Sequence, residues 1–232
     1  YNNNMDYMLY YNNVPGKGRC RNNLIYTSLI NADKTVFCQH YWNDPAYHKG
    51  MNKVVDPNLM QEKWKRDLKF SNIMLNNNPQ VVPKLANVDL KNKKMCWYIQ
   101  GVDFWEQTGC TQDFDNILDD WQEQMLDILQ AYRAQGIWKY SLHPSSYFVV
   151  DGKLKSINHF FCYEDSEQEI CIADCLSHIS EDRLAQLMPM VNVEGLDIHK
   201  PVPFAVLGKL ALDSFADSYP ADFIKKAKEI YV

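Results

Sequence analysis

The stretch from Trp121 to Ile157 constrains the fold more than any other part of the chain. Trp121, Met125, Ile128, Leu129 and Tyr132 recur at helical spacing and predict an amphipathic helix of about five turns. It stops near Gly136, a residue type that accepts the left-handed backbone of a helix end. A short apolar segment follows, then Leu142-His143-Pro144-Ser145-Ser146, the run Phe148 to Val150, the dipeptide Asp151-Gly152 and the run Leu154 to Ile157. Asp-Gly between two such runs is the turn chemistry of a tight hairpin.

Upstream, apolar segments separated by turn residues predict an antiparallel meander over Tyr7 to Tyr11, Leu24 to Ile30 and Thr35 to Trp42. Asn43 to Asp56 is polar and reads as a loop. Leu59, Met60, Trp64, Leu68, Ile73 and Met74 then predict a helix over Leu59 to Leu75, with Asn58 as N-cap and Asn76-Asn77-Asn78-Pro79 ending it. Val81 to Val88 and Lys94 to Val102 read as two further strands. Beyond the Asp-Gly hairpin, helices are expected at Glu181 to Val191, Pro203 to Ala216 and Ala221 to Tyr231. This order predicts an α+β fold of two lobes. Residues 1–102 form a small antiparallel sheet with one helix, and residues 103–232 a mainly helical lobe, joined near Gly101 to Glu106.

Composition narrows the function classes. The 232 residues carry 24 Lys and Arg against 29 Asp and Glu, a net charge of -5 that provides no general basic field for nucleic acid or anionic membrane. No apolar run approaches the roughly 20 residues of a membrane-spanning helix. The expectation is a soluble, cytoplasmic protein. Seven cysteines, at positions 20, 38, 96, 110, 162, 171 and 175, are scattered, and only Cys171 and Cys175 are close. They read as buried small hydrophobes in a reducing compartment, without a disulfide framework or a metal site. Aromatic residues reach 13%. Tyr7, Tyr10, Tyr11, Tyr26, Tyr41 and Trp42 concentrate them in the small lobe, where exposure of several would make a protein-binding surface.

The segment Gly136 to Phe160 resembles the catalytic segment of the protein-kinase-like fold. There a long helix leads into a loop written His-Arg-Asp-Leu-x-Pro-x-Asn, then a hairpin, then Asp-Phe-Gly. This chain matches that frame without a gap. The resemblance makes Gly16-Lys17-Gly18 the glycine-rich turn, Thr35 to Trp42 the strand that bears the phosphate-gripping lysine, Leu59 to Leu75 the sheet-packing helix, and Met95 to Ile99 the approach to the hinge. It covers about residues 7 to 165, and the rest of the chain is short for a full kinase helical lobe, so a truncated second lobe is implied. The whole chain also resembles proteins carried by tailed phages of marine cyanobacteria, which implies the cytoplasm of a bacterial host.

Phosphoryl transfer needs an Asp at the substrate hydroxyl, Asp and Asn on magnesium, and a steadied Lys on the phosphates. By resemblance the catalytic Asp falls on Ser141, the metal-binding Asn on Ser146, the Asp of Asp-Phe-Gly on Asn158 and the Lys on Gln39, or on His40 if the register slips by one. Phe37 replaces the small residue that roofs the adenine. Asp67 is the counterpart of the ion-pair Glu, with Glu62 competing, and Arg21 stands at the third glycine. With both metal ligands, the orienting Asp and the Lys lost, the resemblance implies an inactive pseudokinase that binds or regulates a protein partner, with no cofactor. The alternative is a phosphotransferase of altered mechanism using Asp67, His143 or Asp151, or nucleotide binding through a cleft of Gly16, Gly18, Phe37, Gln39 and His143. Only that alternative implies ATP and magnesium.

Other groups have simpler expected roles. His143 is expected to hold its loop. The acidic residues Asp113, Asp115, Asp119, Asp120 and Glu123 favour a helix start and solvation. Trp97, Trp105, Trp121 and Trp138 are expected to pack in the core. Lys17, Arg19 and Arg21 read as a solvated face, with anion binding the alternative if the glycine turn is ordered.

Overall fold

In the computed structural model, which describes residues 6–14, 17–20, 26–42, 57–167, 170–173 and 197–232, the small lobe opens with β1 (Tyr7–Leu9). A separate hairpin comes next, β2 (Tyr11–Val14) against β3 (Lys17–Cys20). Then come β4 (Thr27–Asn31), β5 (Val36–His40), α1 (Pro57–Asn77), β6 (Leu85–Asp89) and β7 (Lys94–Tyr98). Five of these strands form one antiparallel sheet in the order β1-β4-β5-β7-β6. The expected meander is present as β1-β4-β5, with Tyr10 N–H still bonded to the Ser28 carbonyl of β4, and the β2–β3 hairpin, which pairs with itself outside the sheet, is inserted between its first two strands. The strand expected from Val81 starts only at Leu85. Pro79 begins a short 3-10 turn there, and Pro83 has no N–H to give a ladder. The loop at 43–56 and the helix at 181–191 lie outside the described residues.

Period-two burial gives the sheet two different faces. Phe37 pairs with Trp97 and Gln39 with Met95 on the face that packs on Trp64 of α1 and on Phe148, Ile157 and Phe160 of the second lobe. Val36, Cys38 and Cys96 face the other way. The register sets Cys38 directly opposite Cys96, and a disulfide joins them. This corrects the reading of the cysteines as a set of buried thiols, for a 58-residue separation carries no pairing signal until the strand register brings the two together. The described aromatics of this lobe are mostly inside. Tyr10, Tyr26 and Tyr41 are buried, packed on Phe37, Phe160 and Trp64, whereas Trp42 is 50% exposed.

Among the described residues the second lobe has α2 (Phe104–Gln107), α3 (Trp121–Ala134), β8 (Ile137–Lys139), β9 (Tyr147–Val150), β10 (Lys153–Ser156), β11 (Cys162–Glu164), β12 (Ile170–Cys171), β13 (Pro201–Val202), α4 (Phe204–Asp213) and α5 (Ala221–Lys228). The predicted α3 stripe is buried residue for residue, Trp121, Met125, Ile128, Leu129 and Tyr132. The β9–β10 hairpin turns on Asp151 and Gly152, with φ of +51° and +73° as a tight two-residue turn requires. β8 pairs with β11, so the loop between β8 and β9 is framed by two ladders. Three buried tyrosines then nail that loop to the C-terminal helices. Tyr231 donates to the Lys139 carbonyl at 2.5 Å, Tyr219 to Leu142 at 2.6 Å, and Tyr140 to Phe204 at 2.9 Å.

Tyr231 reaches the loop by lying across Gly208 of α4. A Cβ on Gly208 would stand 2.0 Å from Tyr231 Cδ1, so only glycine admits the ring. Gly208→Ala should therefore lower the unfolding free energy by about 2 kcal/mol in urea titration, overpacking outweighing the helix propensity of alanine. A gain of about 1 kcal/mol, the propensity effect alone, would place the Tyr231 ring elsewhere.

Candidate functional site

The positions at which the kinase-like frame expects a lysine and two metal ligands meet in one buried spot at the junction of the lobes. Gln39 extends from β5, Asn158 comes just after β10, and Ser146 lies just before β9. Gln39 Nε2 donates to Asn158 Oδ1, and Asn158 Nδ2 donates to Ser146 Oγ at 2.8 Å. All three are buried, Gln39 fully. Asn158 adopts a left-handed backbone, φ +68° and ψ +59°, a conformation that Asn tolerates better than most residues. Alternation along β5 turns His40 to the other side, where its ring meets Trp42. The register that puts Gln39 at the lysine position is thus the one that reaches this junction.

Above this chain, aromatic rings close the space between sheet and hairpin. Phe37 of β5 and Phe148 of β9 touch, with ring centroids 5.2 Å apart, and the edge of Tyr10 meets Phe37 at the same separation. Tyr10 donates its hydroxyl to Asp103 Oδ2 at 2.6 Å and accepts from the Asp103 N–H at 2.9 Å. Sequence reasoning assigned neither residue to the site. Asp103 carries a readable signal, because Asp-Phe-Trp-Glu is an N-cap pattern and Asp103 Oδ1 accepts from the Glu106 N–H at 3.0 Å. Tyr10 carries none.

Asp67 belongs to a second buried network, behind the first. Its carboxyl accepts from Tyr41 at 2.5 Å and from Ser71 at 3.1 Å, and the His159 N–H points at it from 3.3 Å. Burial raises the Asp67 pKa above the usual carboxylate range, against the opposing pull of the Tyr41 and Ser71 hydroxyls. The His159 ring lies between Ser71 Oγ, 2.9 Å from Nδ1, and the Tyr132 hydroxyl, 2.7 Å from Nε2. Burial, and secondly the Lys139 ammonium, hold its pKa well below the ordinary histidine value, so the imidazole is neutral. With the Ser71 proton directed to Asp67, the ring proton belongs on Nδ1 and Nε2 accepts from Tyr132. Lys139 itself donates to the Ile157 carbonyl at 2.7 Å. Glu62, the competitor of Asp67, is exposed and pairs with Arg66 of its own helix. Arg66 in turn reaches Glu167 at 2.6 Å and the Cys162 carbonyl at 2.9 Å, fixing α1 to the chain beyond Asn158.

The other expected site residues are dispersed. His143 Nδ1 accepts from the Ser145 N–H at 3.1 Å, capping the short 3-10 turn over Pro144–Ser146, and its ring packs on Trp105 and Phe215. Asp151 exchanges two hydrogen bonds with the Gln100 side chain, clipping the hairpin turn to the hinge. Ser141 is half-buried on the loop and takes no part in the Gln39 chain. Gly18 pairs with Asn13 inside the β2–β3 hairpin, and Gly16 and Arg21 lie outside the described residues. Trp97, Trp121 and Trp138 are buried in the core. Among the described residues, no group of three or more His, Cys, Asp or Glu is placed to hold a metal ion. Surface depressions of about 540 and 500 Å³ lie along α3 and α5, away from the lobe junction.

The junction does not fit a magnesium nucleotide. Gln39, Asn158 and Ser146 bring amides and a hydroxyl where magnesium takes carboxylates, Gln39 Nε2 and both polar atoms of the Asn158 side chain are spent within the chain, and Phe37 on Phe148 leaves no slot for a base between them.

No family model matches the chain, and neither does any curated protein. Among solved structures it is similar to a co-crystal structure of WbdD and the kinase inhibitor LY294002, with 12% sequence identity and a TM-score of 0.42, over 88% of this chain and 47% of that one. The chain therefore spans about half the length of the WbdD chain it matches.

A positive charge at the Gln39 position would have neutral amides as neighbours. Gln39→Lys is expected to destabilise the protein by about 3 kcal/mol in urea titration, the cost of an uncompensated buried charge. An unchanged or raised stability would mean that a carboxylate reaches this position.

Proposed function

We propose that the protein is a catalytically silent kinase-like module that acts by binding another protein. One observation carries this reading. The positions that the frame assigns to the lysine and both metal ligands are hydrogen-bonded to one another in an uncharged, buried chain. Electrostatic stabilisation of the transferring phosphoryl group is nearly all that such a site contributes, and neutral side chains occupied with each other have none to give. The contact of Phe37 with Phe148 supports the same reading for the nucleotide.

The phosphotransferase alternative would rely on Asp67, His143 or Asp151. Each is engaged elsewhere, Asp67 under Tyr41 and Ser71, His143 as a loop cap, and Asp151 on Gln100. No observation favours that alternative. The whole-chain resemblance to phage proteins makes a host or virion protein the partner class proposed.

Titrating the unaltered protein with ATP while following thermal unfolding tests the proposal, since a ligand that binds only the native state raises the melting temperature. The midpoint is expected to stay within about 1 °C at millimolar ATP, with or without magnesium, because binding at ten times Kd would shift it by several degrees. A magnesium-dependent rise would overturn the proposal.

A further inference from the structure

The bond between Cys38 and Cys96 lies at the centre of the small lobe. It joins β5 to β7, the third and fourth strands in the order β1-β4-β5-β7-β6. The two Cα atoms stand 4.0 Å apart, closer than hydrogen-bonded partners stand in an antiparallel ladder, so this is a directly opposed pair of the other kind. Alternation then gives the ladder bonds to the pairs on either side, Phe37 with Trp97 and Gln39 with Met95. Gln39 is the residue whose side chain reaches Asn158. The covalent link therefore grips the sheet one residue from the contact between the lobes, on the opposite face.

Two folded forms are compatible with this placement. β4 flanks β5, β6 flanks β7, and Trp64 of α1 packs on the inner face, so the strands stay assembled when each sulfur carries a proton in place of the bond. What the bond adds is closure of a 58-residue separation that contains α1 and β6. On the chain-entropy account such closure suppresses opened forms by on the order of a thousandfold. We infer that Cys38 and Cys96 form a redox-operated clasp, whose opening by a dithiol loosens the β5–β7 ladder and with it the Gln39–Asn158 contact. Among the described residues, the side chains packed on the Val36, Cys38 and Cys96 cluster from outside are Tyr7, Leu29 and Ala86, each only half-buried. Tyr7 belongs to the three-residue edge strand β1, so a small thiol has a thin cover to displace. One thiolate of the dithiol attacks a cysteine sulfur and releases the other cysteine as a thiolate, and the second thiol of the reagent then displaces the first cysteine. The dithiol gives up two electrons and two protons and leaves as a cyclic disulfide, and both cysteines end as thiols. The inference stands on the register of β5 and β7, and not on the loss of phosphoryl transfer.

The test equilibrates the unaltered, folded protein with glutathione disulfide or with dithiothreitol. Non-reducing peptide mapping reads the state of the pair, and amide hydrogen exchange reads the backbone. The peptides bearing Cys38 and Cys96 are expected to be linked in glutathione disulfide and separate in dithiothreitol. On separation the backbone amides of Gln39 and Met95 are expected to exchange at least about ten times faster, while that of Ile128 in α3 changes by less than about twofold. A pair that does not link or does not separate, or unchanged exchange at Gln39 and Met95, would overturn the inference. Equal acceleration at Ile128 would overturn it too, because it marks a bond that only adds global stability. The double variant Cys38→Ala, Cys96→Ala distinguishes the clasp from the other cysteines. It is expected to show the fast exchange in both buffers, and a Gln39 amide that still responds to dithiothreitol in that variant would contradict the inference.

Discussion

The amide of Gln39 on the amide of Asn158 is the contact on which the junction between the two lobes depends. It joins the middle strand of the small sheet to the residue just beyond the β9–β10 hairpin, and Asn158 passes the link to Ser146 at the hairpin's other root. A lysine and an aspartate at these places would face a large desolvation penalty in so buried a setting, several kcal/mol per ion, unless water or metal were admitted. Neutral amides avoid it, at the smaller cost of one amide oxygen, Gln39 Oε1, that has no partner among the described residues.

The same choice of neutral groups lets hydrophobic packing run through the junction. Phe37, Trp97 and Met95 of the sheet share one core with Phe148, Ile157 and Phe160 of the second lobe. A cleft that exchanges nucleotide must open to water, whereas this one is bridged by aromatic contacts and by two layers of hydrogen bonds, the Gln39 chain and the Asp67–Ser71–His159–Tyr132 relay behind it. This closure is the basis for proposing a working surface outside the cleft.

Much of the scaffold was legible in the residue pattern. The α3 stripe, the Asp151-Gly152 turn, the helix after the third sheet strand and the loop anchored by Pro144 all arise from periodicity and turn chemistry. The illegible features depend on register and on partners distant in sequence. α1 buries Asp67, Ser71 and Lys63, which an apolar periodicity scores as solvent-facing. Cys38 and Cys96 meet only because β5 and β7 pair in one register. The small lobe's tyrosines, polar enough to suggest a surface, are instead satisfied inside, Tyr41 by Asp67 and Tyr10 by Asp103. Substitution at the motif positions was visible from the frame, but that the substitutes bind one another was not, since Gln39 and Asn158 stand 119 residues apart.

The side-chain amide signals of Gln39 and Asn158, followed by NMR hydrogen exchange in the presence and absence of magnesium and ATP, test the central claim most directly. If these amides form the closed neutral chain described, both NH2 groups exchange only through global unfolding, and neither rate nor chemical shift responds to millimolar magnesium-ATP. Rapid exchange of either group, or a shift of its signal on adding magnesium-ATP, would contradict the account.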